Sequence, residues 1–431
     1  MKTNTTTFQG FKYLWLWSLV LSLNATTVFS QYLIQKESDS GKKSIHHLAE
    51  YVDLGAKERS FEEVKNTKTL AFSPMPNENT DFGFTTHHIW VRFQLENGTN
   101  EKEVYFLETA RPITDVAELY VSDSSNTVQK FQSGDAIPYA ERSFQHRKTI
   151  FKIVLEPHTQ KQFYLHVKSD GEMLSMPMLL YSMETLIQTT SFEQFVFGFF
   201  YGILIIAAIL YLFFFFAMRD KTFLYYSMYV VFIGLLQFSI DGYFYQLITP
   251  QSGWLSLHAV IIFACIANFF LGRYAQVFLK IKEYNKTITY AFYTLYVLNA
   301  ALFLSLFVFP NSFEHSYPIA NALGLIVLSL IIASQIAIYR KTKKIDRFFA
   351  TGIVFLISGF VIFILKNFSL LPLNFWTENG SKLGTGMEVI FLSLSMANLI
   401  RNLKNEREQL QTLALQRSEE MNELKSYFLS N

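Results

Sequence analysis

Residues 197–216 read FGFFYGILIIAAILYLFFFF, with no charged residue and no proline. A helix of that length rises roughly 30 Å, the thickness of the hydrocarbon core of a bilayer. Lipid offers no water to backbone N–H and C=O groups, so a stretch this apolar crosses as a helix. Working outward, the pattern recurs. Seven such stretches fall near residues 195–217, 223–245, 256–279, 288–309, 317–339, 348–370 and 380–400. Residues 190–402 are therefore expected to form an all-α seven-helix transmembrane bundle.

The turns between the spans set an orientation. Arg219 and Lys221 follow the first span, and Lys280, Lys282 and Lys286 the third. Arg340, Lys341, Lys343, Lys344 and Arg347 follow the fifth, and Arg401, Lys404 and Arg407 the seventh. The alternate turns hold almost no Lys or Arg, with Lys382 the exception. Basic turns stay in the cytoplasm. An odd number of spans then puts the N-terminal half outside and the C-terminus inside. Residues 1–30 argue the same way. Lys2 and Lys12 precede the short apolar run Leu14–Leu23, and Val28-Phe29-Ser30 resembles a cleavage site, as in a signal peptide.

The chain has 431 residues, 50% of them hydrophobic and 17% charged, with 44 Phe and a net charge of +2. Soluble proteins carry about 25% charged residues, and here the deficit is confined to the second half. A net charge near zero gives no sign of a nucleic-acid partner. Cys265 is the single cysteine, so no disulfide can form within the chain. It is expected to be a small packed hydrophobe.

Residues 31–185 read as an extracytoplasmic β-sandwich. His88–Leu95 alternates and is rich in aromatic and branched residues, as are Val104–Leu107, Val116–Val121, Thr149–Leu155 and Gln162–Val167. Turn formers separate them, among them Asn97-Gly98, read as a hairpin turn, and Ser169-Asp170-Gly171. Short strands without clear helices between most of them favour an antiparallel sandwich. At the other end, residues 403–431 are expected to continue the seventh span into the cytoplasm. Leu399, Leu403, Leu410, Leu413 and Leu424 keep heptad-compatible spacing, interrupted by Glu406, Arg417 and Glu420. This favours a dimeric coiled coil.

Several segments together resemble the 7TMR-DISM family, bacterial seven-transmembrane receptors with diverse intracellular signalling modules. They are the run from Phe197, RDKTFLYYSMYVVFIGLLQFSIDGYFYQ from Arg219, RFFATGIVFLISGFVIFILKNFSLLP from Arg347 and GTGMEVIFLSLSMANLIRNLKNE from Gly384. In the first half, His88–Phe93, Asn97, Leu107-Glu108 and Val116–Tyr120 are similar to that family's jelly-roll domain. The resemblance implies a jelly-roll sandwich that senses a small, carbohydrate-like ligand in the periplasm. It also implies a multi-pass protein of the bacterial inner membrane, N-terminus periplasmic and C-terminus cytoplasmic. The tail, Met421–Asn431, is similar to the helix that leads into a histidine-kinase dimerisation and phosphoacceptor domain. This implies the input part of a two-component sensor. The sequence contains no His beyond His315 and no ATP-binding domain, so no catalytic activity is expected of it.

No catalytic motif stands out. His46-His47 and His87-His88 are adjacent pairs whose side chains diverge on a strand or helix, and they are expected to be surface residues rather than metal ligands. No phosphate loop, HExxH or nucleophile elbow is present, and neither a cofactor nor a metal is expected. Charges in hydrocarbon are costly and tend to be functional. Asp241, Lys366 and Glu388 all fall toward the outer ends of their spans, where Lys366 would neutralise either carboxylate. They form a candidate polar cluster coupling the sandwich to the helices. Arg273, Asn268 and Asn299 are expected to be interhelical glue or interface anchors. On the strand at 88–95, alternation puts Val91, Phe93 and Leu95 in the core. It leaves Trp90, Arg92 and Gln94 either to line a ligand surface or, for Trp90, to pack beneath a neighbouring segment.

These features favour a sensory receptor. A transporter or channel is the second reading, but no inverted repeat, broken helix pair or deep polar pathway supports it. An intramembrane enzyme would need more converging acids and histidines than the spans hold.

Overall fold

The computed structural model describes residues 32–34, 41–122, 128–309, 313–367, 370–372 and 374–430. The expected signal peptide lies outside the described residues.

The alternating segments form strands in two main sheets and a separate two-stranded one. In chain order they are β1 (Tyr32–Ile34), β2 (Lys42–Ser44), β3 (Glu50–Asp53), β4 (Ser73–Pro74), β5 (Thr80–Phe84), β6 (Ile89–Asn97) and β7 (Glu103–Ala110). There follow β8 (Val116–Ser122), β9 (Val128–Ser133), β10 (Thr149–Leu155), β11 (Gln160–Lys168), β12 (Met173–Met176) and β13 (Leu179–Ser182). One sheet runs β4-β3-β6-β11-β8-β9, with β1 parallel to the end of β6. The other runs β10-β7-β13-β2, and β12 pairs with β5 separately. The period-2 reading holds on β6, where Val91, Phe93 and Leu95 enter the core with Leu107, Phe151 and Leu165. Phe93 lies opposite Phe163 in register, and their rings stack at 5.0 Å.

One local reading needs correction. Asn97-Gly98 is not a hairpin turn, because β6 and β7 belong to different sheets. It is the corner where the chain changes sheets. Asn97 is fully buried there, and its amide donates to the carbonyls of Glu101 at 2.8 Å and Leu155 at 3.2 Å. A short helix, α1 (Phe61–Asn66), also interrupts the strands. Ser60 and Glu63 form a capping box at its start, a signal present in the sequence as S-x-x-E.

The apolar half forms seven membrane-length helices. They are α2 (Met183–Met218), α3 (Lys221–Ile240), α5 (Trp254–Phe278), α7 (Lys286–Val308), α8 (Phe313–Thr342), α9 (Arg347–Asn367) and α11 (Gly380–Ser430). Short helices α4 (Tyr243–Leu247), α6 (Ile281–Tyr284) and α10 (Phe375–Glu378) lie between them. The first helix starts well before residue 195, directly after β13 under a Ser182 cap, so sandwich and bundle share a continuous backbone. The second stops at Ile240, short of residue 245, because Gly242 turns left-handed at φ 81 and starts a separate helix. Polar side chains cross between helices. Tyr226 donates to the Val389 carbonyl at 2.9 Å and Asn299 to that of Cys265 at 2.8 Å, while Cys265 itself is buried. Such bonds are worth about 0.6–2 kcal/mol each in membranes.

The sandwich sits directly on one end of the bundle. Gly171, at φ 125, brings its backbone onto the start of α8, where a Cβ would lie 2.6 Å from Glu314 Cα. The Ser252 hydroxyl donates to the Asp135 carbonyl at 2.6 Å, and Tyr139 N–H to that of Pro250 at 2.7 Å. Because the helices alternate direction, all the basic turns fall at the opposite end.

Candidate functional site

Where the sandwich meets the bundle there is a cavity of about 670 Å³, within the usual range for small-molecule sites. Its roof comes from the ends of β5 and β7, the Arg111-Pro112 turn, the start of β10 and β12. Its floor lies deep among α3, α5, α8 and α9, lined by Val260, Leu271, Leu328 and Leu356 and reaching Tyr229. The roof is polar because loop ends present charges. The depth is apolar because those helix faces are membrane-core faces.

One wall is a chain of buried ion pairs that crosses from the sandwich to the helices. Glu108 on β7 accepts from Tyr181 at 2.9 Å and from Lys148 at 3.4 Å. Lys148 at the edge of β10 also reaches Glu193 on α2 at 2.9 Å, and Glu193 pairs again with Arg147. Arg147 donates to the Asp241 carbonyl at 3.0 Å, closing the step to the end of α3. Asp241 in turn pairs through its carboxylate with Lys382 on α11 at 2.8 Å and accepts from Tyr201. Burial works against the charge on Arg147, yet Glu193 and Asp241 more than offset it and hold the guanidinium above its ordinary value. Burial likewise opposes Lys148, and Glu108 and Glu193 hold it above its own. His146, next in the chain, is pushed down to about 4 by burial and by those two cations. A buried pair of this kind is costly to break because one charge is left without a partner.

The opposite wall carries cations of another kind. Arg111 and Lys366 line the cavity, and neither makes a side-chain hydrogen bond or ion pair among the described residues. The Arg111 guanidinium lies 5.7 Å from the Phe363 ring centroid, which places it beside α9 one turn from Lys366. Burial lowers the pKa of Arg111, and Asp81 and Glu172 offset part of that.

Where the sandwich meets α5 and α8 there is also a group of acids, of which Asp115, Asp135 and Glu172 are buried and Asp170 is half-buried. Glu172 accepts from Tyr317 at 2.9 Å, and Asp170 lies 3.7 Å from His258. Burial raises Asp115, Asp135, Asp170 and Glu172, Asp135 to about 7 and Asp170 to about 6. Among the described residues no three His, Cys, Asp or Glu side chains converge as a metal site.

The structure separates the three intramembrane charges expected to cluster. Asp241 belongs to the ion-pair chain, but its cation is Lys382 and not Lys366. Lys366 stands on the other wall. Glu388 is fully buried deeper on α11, where the Tyr229 hydroxyl lies 2.9 and 2.6 Å from its two oxygens. Asp241 and Lys366 both lie at the sandwich end of their helices but do not pair, and Glu388 lies about two turns deeper. The β6 residues also stand apart from the cavity. Trp90 is only 1% exposed, packed under α1 against Phe61 and Tyr164 and stacked on His166 at 4.8 Å. Arg92 pairs with Glu50 at 2.7 Å, and Gln94 lies opposite Gln162 on β11. His88 is buried rather than on the surface, with Nδ1 3.0 Å from Nε2 of His166.

A β-sandwich seated on seven membrane helices, with a shared cavity and ion pairs reaching the last helix, defines a multi-pass membrane protein with a docked β domain. Residues 193–398 match the family described as 7TM diverse intracellular signalling, and residues 49–182 match 7TMR-DISM extracellular 2. The two matches cover most of the chain, and the chain belongs to the 7TMR-DISM family. Membership supports a sensory receptor role. No curated protein matches the chain significantly.

Proposed function

We propose that the protein is a receptor that senses a small ligand at the junction of sandwich and bundle and passes the signal along α11. The observation that carries this reading is the chain of ion pairs and one backbone hydrogen bond Glu108–Lys148–Glu193–Arg147–Asp241–Lys382, which ties the sandwich to the last span. A ligand with different affinity for two arrangements of that chain shifts the equilibrium between them. The sandwich faces the periplasm and the basic turns the cytoplasm. The charge asymmetry of the turns and the description of the matched β domain as extracellular support this orientation.

The output runs through α11, whose 51 residues span roughly 75 Å. Beyond the bundle it carries Leu410, Leu413 and Leu424 exposed at heptad-compatible positions. A second copy of the chain covers them in a parallel coiled coil, and the pair drives a cytoplasmic module of the histidine-kinase kind.

The test uses full-length protein in nanodiscs, with Cys265→Ser and a spin label at Leu410→Cys. Distances between the labels of two copies are compared with and without Lys148→Met or the milder Glu108→Gln. A shifted distance in folded variants, as judged by gel filtration, is the expected outcome. An identical distribution in both would end the receptor reading.

A further inference from the structure

We propose that the cavity binds an anionic amphiphile, a long-chain carboxylate, with its head between Arg111 and Lys366 and its apolar body descending between α5, α8 and α9. The proposal deepens the receptor reading, and it depends on that reading only for what binding causes.

Charge is the first argument. Lys366 is 91% buried, since its exposure is 9%, and Arg111, half-buried, lines the same cavity. The Arg111 guanidinium lies 5.7 Å from the Phe363 ring, one helical turn before Lys366, which makes the two cations neighbours. The acids that face them are Asp81, Glu108, Glu172 and Glu378. Glu108 already accepts from Lys148 and Tyr181, and Glu172 from Tyr317. Asp81 accepts from Ser175 at 3.1 Å and from Gly83 N–H at 2.7 Å. Glu378 acts on Lys366 from beyond ion-pair distance. Two neighbouring cations, one buried and one half-buried, are costly without an ion pair, and an anion between them removes that cost. A guanidinium offers two parallel donors to a carboxylate.

Shape is the second argument. On α9 the lining runs from Lys366 down to Leu356, ten residues or roughly 15 Å. Ala264, Ala267, Ala320 and Gly324 make the room on α5 and α8. These small residues leave a long apolar slot below the charged mouth, which suits a chain and not a sugar. The slot ends at Tyr229, whose hydroxyl bonds Glu388 on α11. The far end of a bound chain therefore touches the partner of the output helix.

The experiment measures binding of radiolabelled myristate, of tetradecanol and of acetate to full-length protein in nanodiscs of zwitterionic lipid. Saturable myristate binding is expected, roughly tenfold or more tighter than the alcohol, with no measurable acetate binding. Arg111→Gln and Lys366→Gln each weaken myristate roughly tenfold and leave the alcohol unchanged. Arg111→Lys loses part of the affinity but less than Arg111→Gln, because it keeps the charge and not the paired donors, and Ala264→Leu weakens both long chains. Equal affinity for acid and alcohol, indifference of myristate to both head variants, or no saturable binding by folded protein would each overturn the proposal. If myristate binds as stated but the α11 label distances do not move, the site stands and the receptor reading fails.

Discussion

Lys382, two residues into the last membrane helix, holds the carboxylate of Asp241 at the end of the second at 2.8 Å, and both side chains are about 7% exposed. The pair joins the output helix to the ion-pair chain that begins in the sandwich. Removing one partner leaves the other charge buried, which costs about 3–5 kcal/mol. Lys382→Met and Asp241→Asn are each expected to lower the unfolding free energy in detergent by about that much. The double variant Asp241→Asn/Lys382→Met is expected to lose clearly less than the sum, because the two residues share one interaction. Strict additivity in a thermal or denaturant series would show that the pair contributes nothing.

Gly359 on α9 faces Gly380 and Gly384 on α11 so closely that a Cβ on Gly384 would lie 2.7 Å from the Phe355 carbonyl oxygen. Small residues let helix backbones approach in lipid, where dispersion replaces the hydrophobic effect as the attraction. Gly384→Ala is expected to cost about 1–3 kcal/mol by overpacking and to push α11 away from α9. Gly386→Ala, two residues on and on another face of the helix, is the control, since its Cβ would meet only the Phe200 ring at 3.4 Å. Cysteine cross-linking between α9 and α11 reads the displacement, and equal behaviour of the two variants would refute it.

The spans were legible because a run such as 197–216 admits one physical reading in any context. The strands were legible where one face is buried and alternation is enforced, as on β6. Helix α1 escaped notice because six residues show too little periodicity, and its capping box, Ser60 with Glu63, was the available signal. The partner of Asp241 was not legible. Sequence spacing gives depth along a helix but not which neighbour it faces, so it points to Lys366 where the structure places Lys382. Arg147 and Lys148 were hidden for another reason: they sit at the edge of a strand, and only docking of the sandwich turns them toward Glu193.

The acids at the docking surface predict a pH dependence with a definite sign. Burial raises Asp135 to about 7 and Asp170 to about 6, against an ordinary value of 3.8. A carboxyl whose folded pKa is raised binds its proton more tightly when folded. Its stabilising effect is complete below about pH 4 and is lost as the pH climbs through about 7. Thermal stability from this cluster is therefore expected to fall between about pH 4 and about pH 7 and to level off above that. Asp135→Asn with Asp170→Asn is expected to flatten that slope. A slope of the opposite sign, or one unchanged in the double variant, would contradict the assignment.

Tyr229 is the donor to Glu388 inside the bundle, with contacts of 2.9 and 2.6 Å to its two oxygens, and both residues are no more than 1% exposed. Tyr229→Phe removes the hydroxyl and leaves Glu388 buried without that donor, which costs about 1–3 kcal/mol and more for a charged acceptor. Glu388→Gln keeps both the shape and an acceptor oxygen for Tyr229, so its effect is expected to stay within about 1 kcal/mol. Unfolding of the two variants side by side checks the asymmetry. The same variants separate stability from signalling, because Tyr229 lines the cavity and Glu388 lies on the output helix. Tyr229→Phe is expected to shift the label distance at position 410 toward or away from its ligand-bound value, since it loosens the same joint. If Tyr229→Phe destabilises the protein yet leaves that distance untouched, the contact is structural and the signal travels only through Lys382.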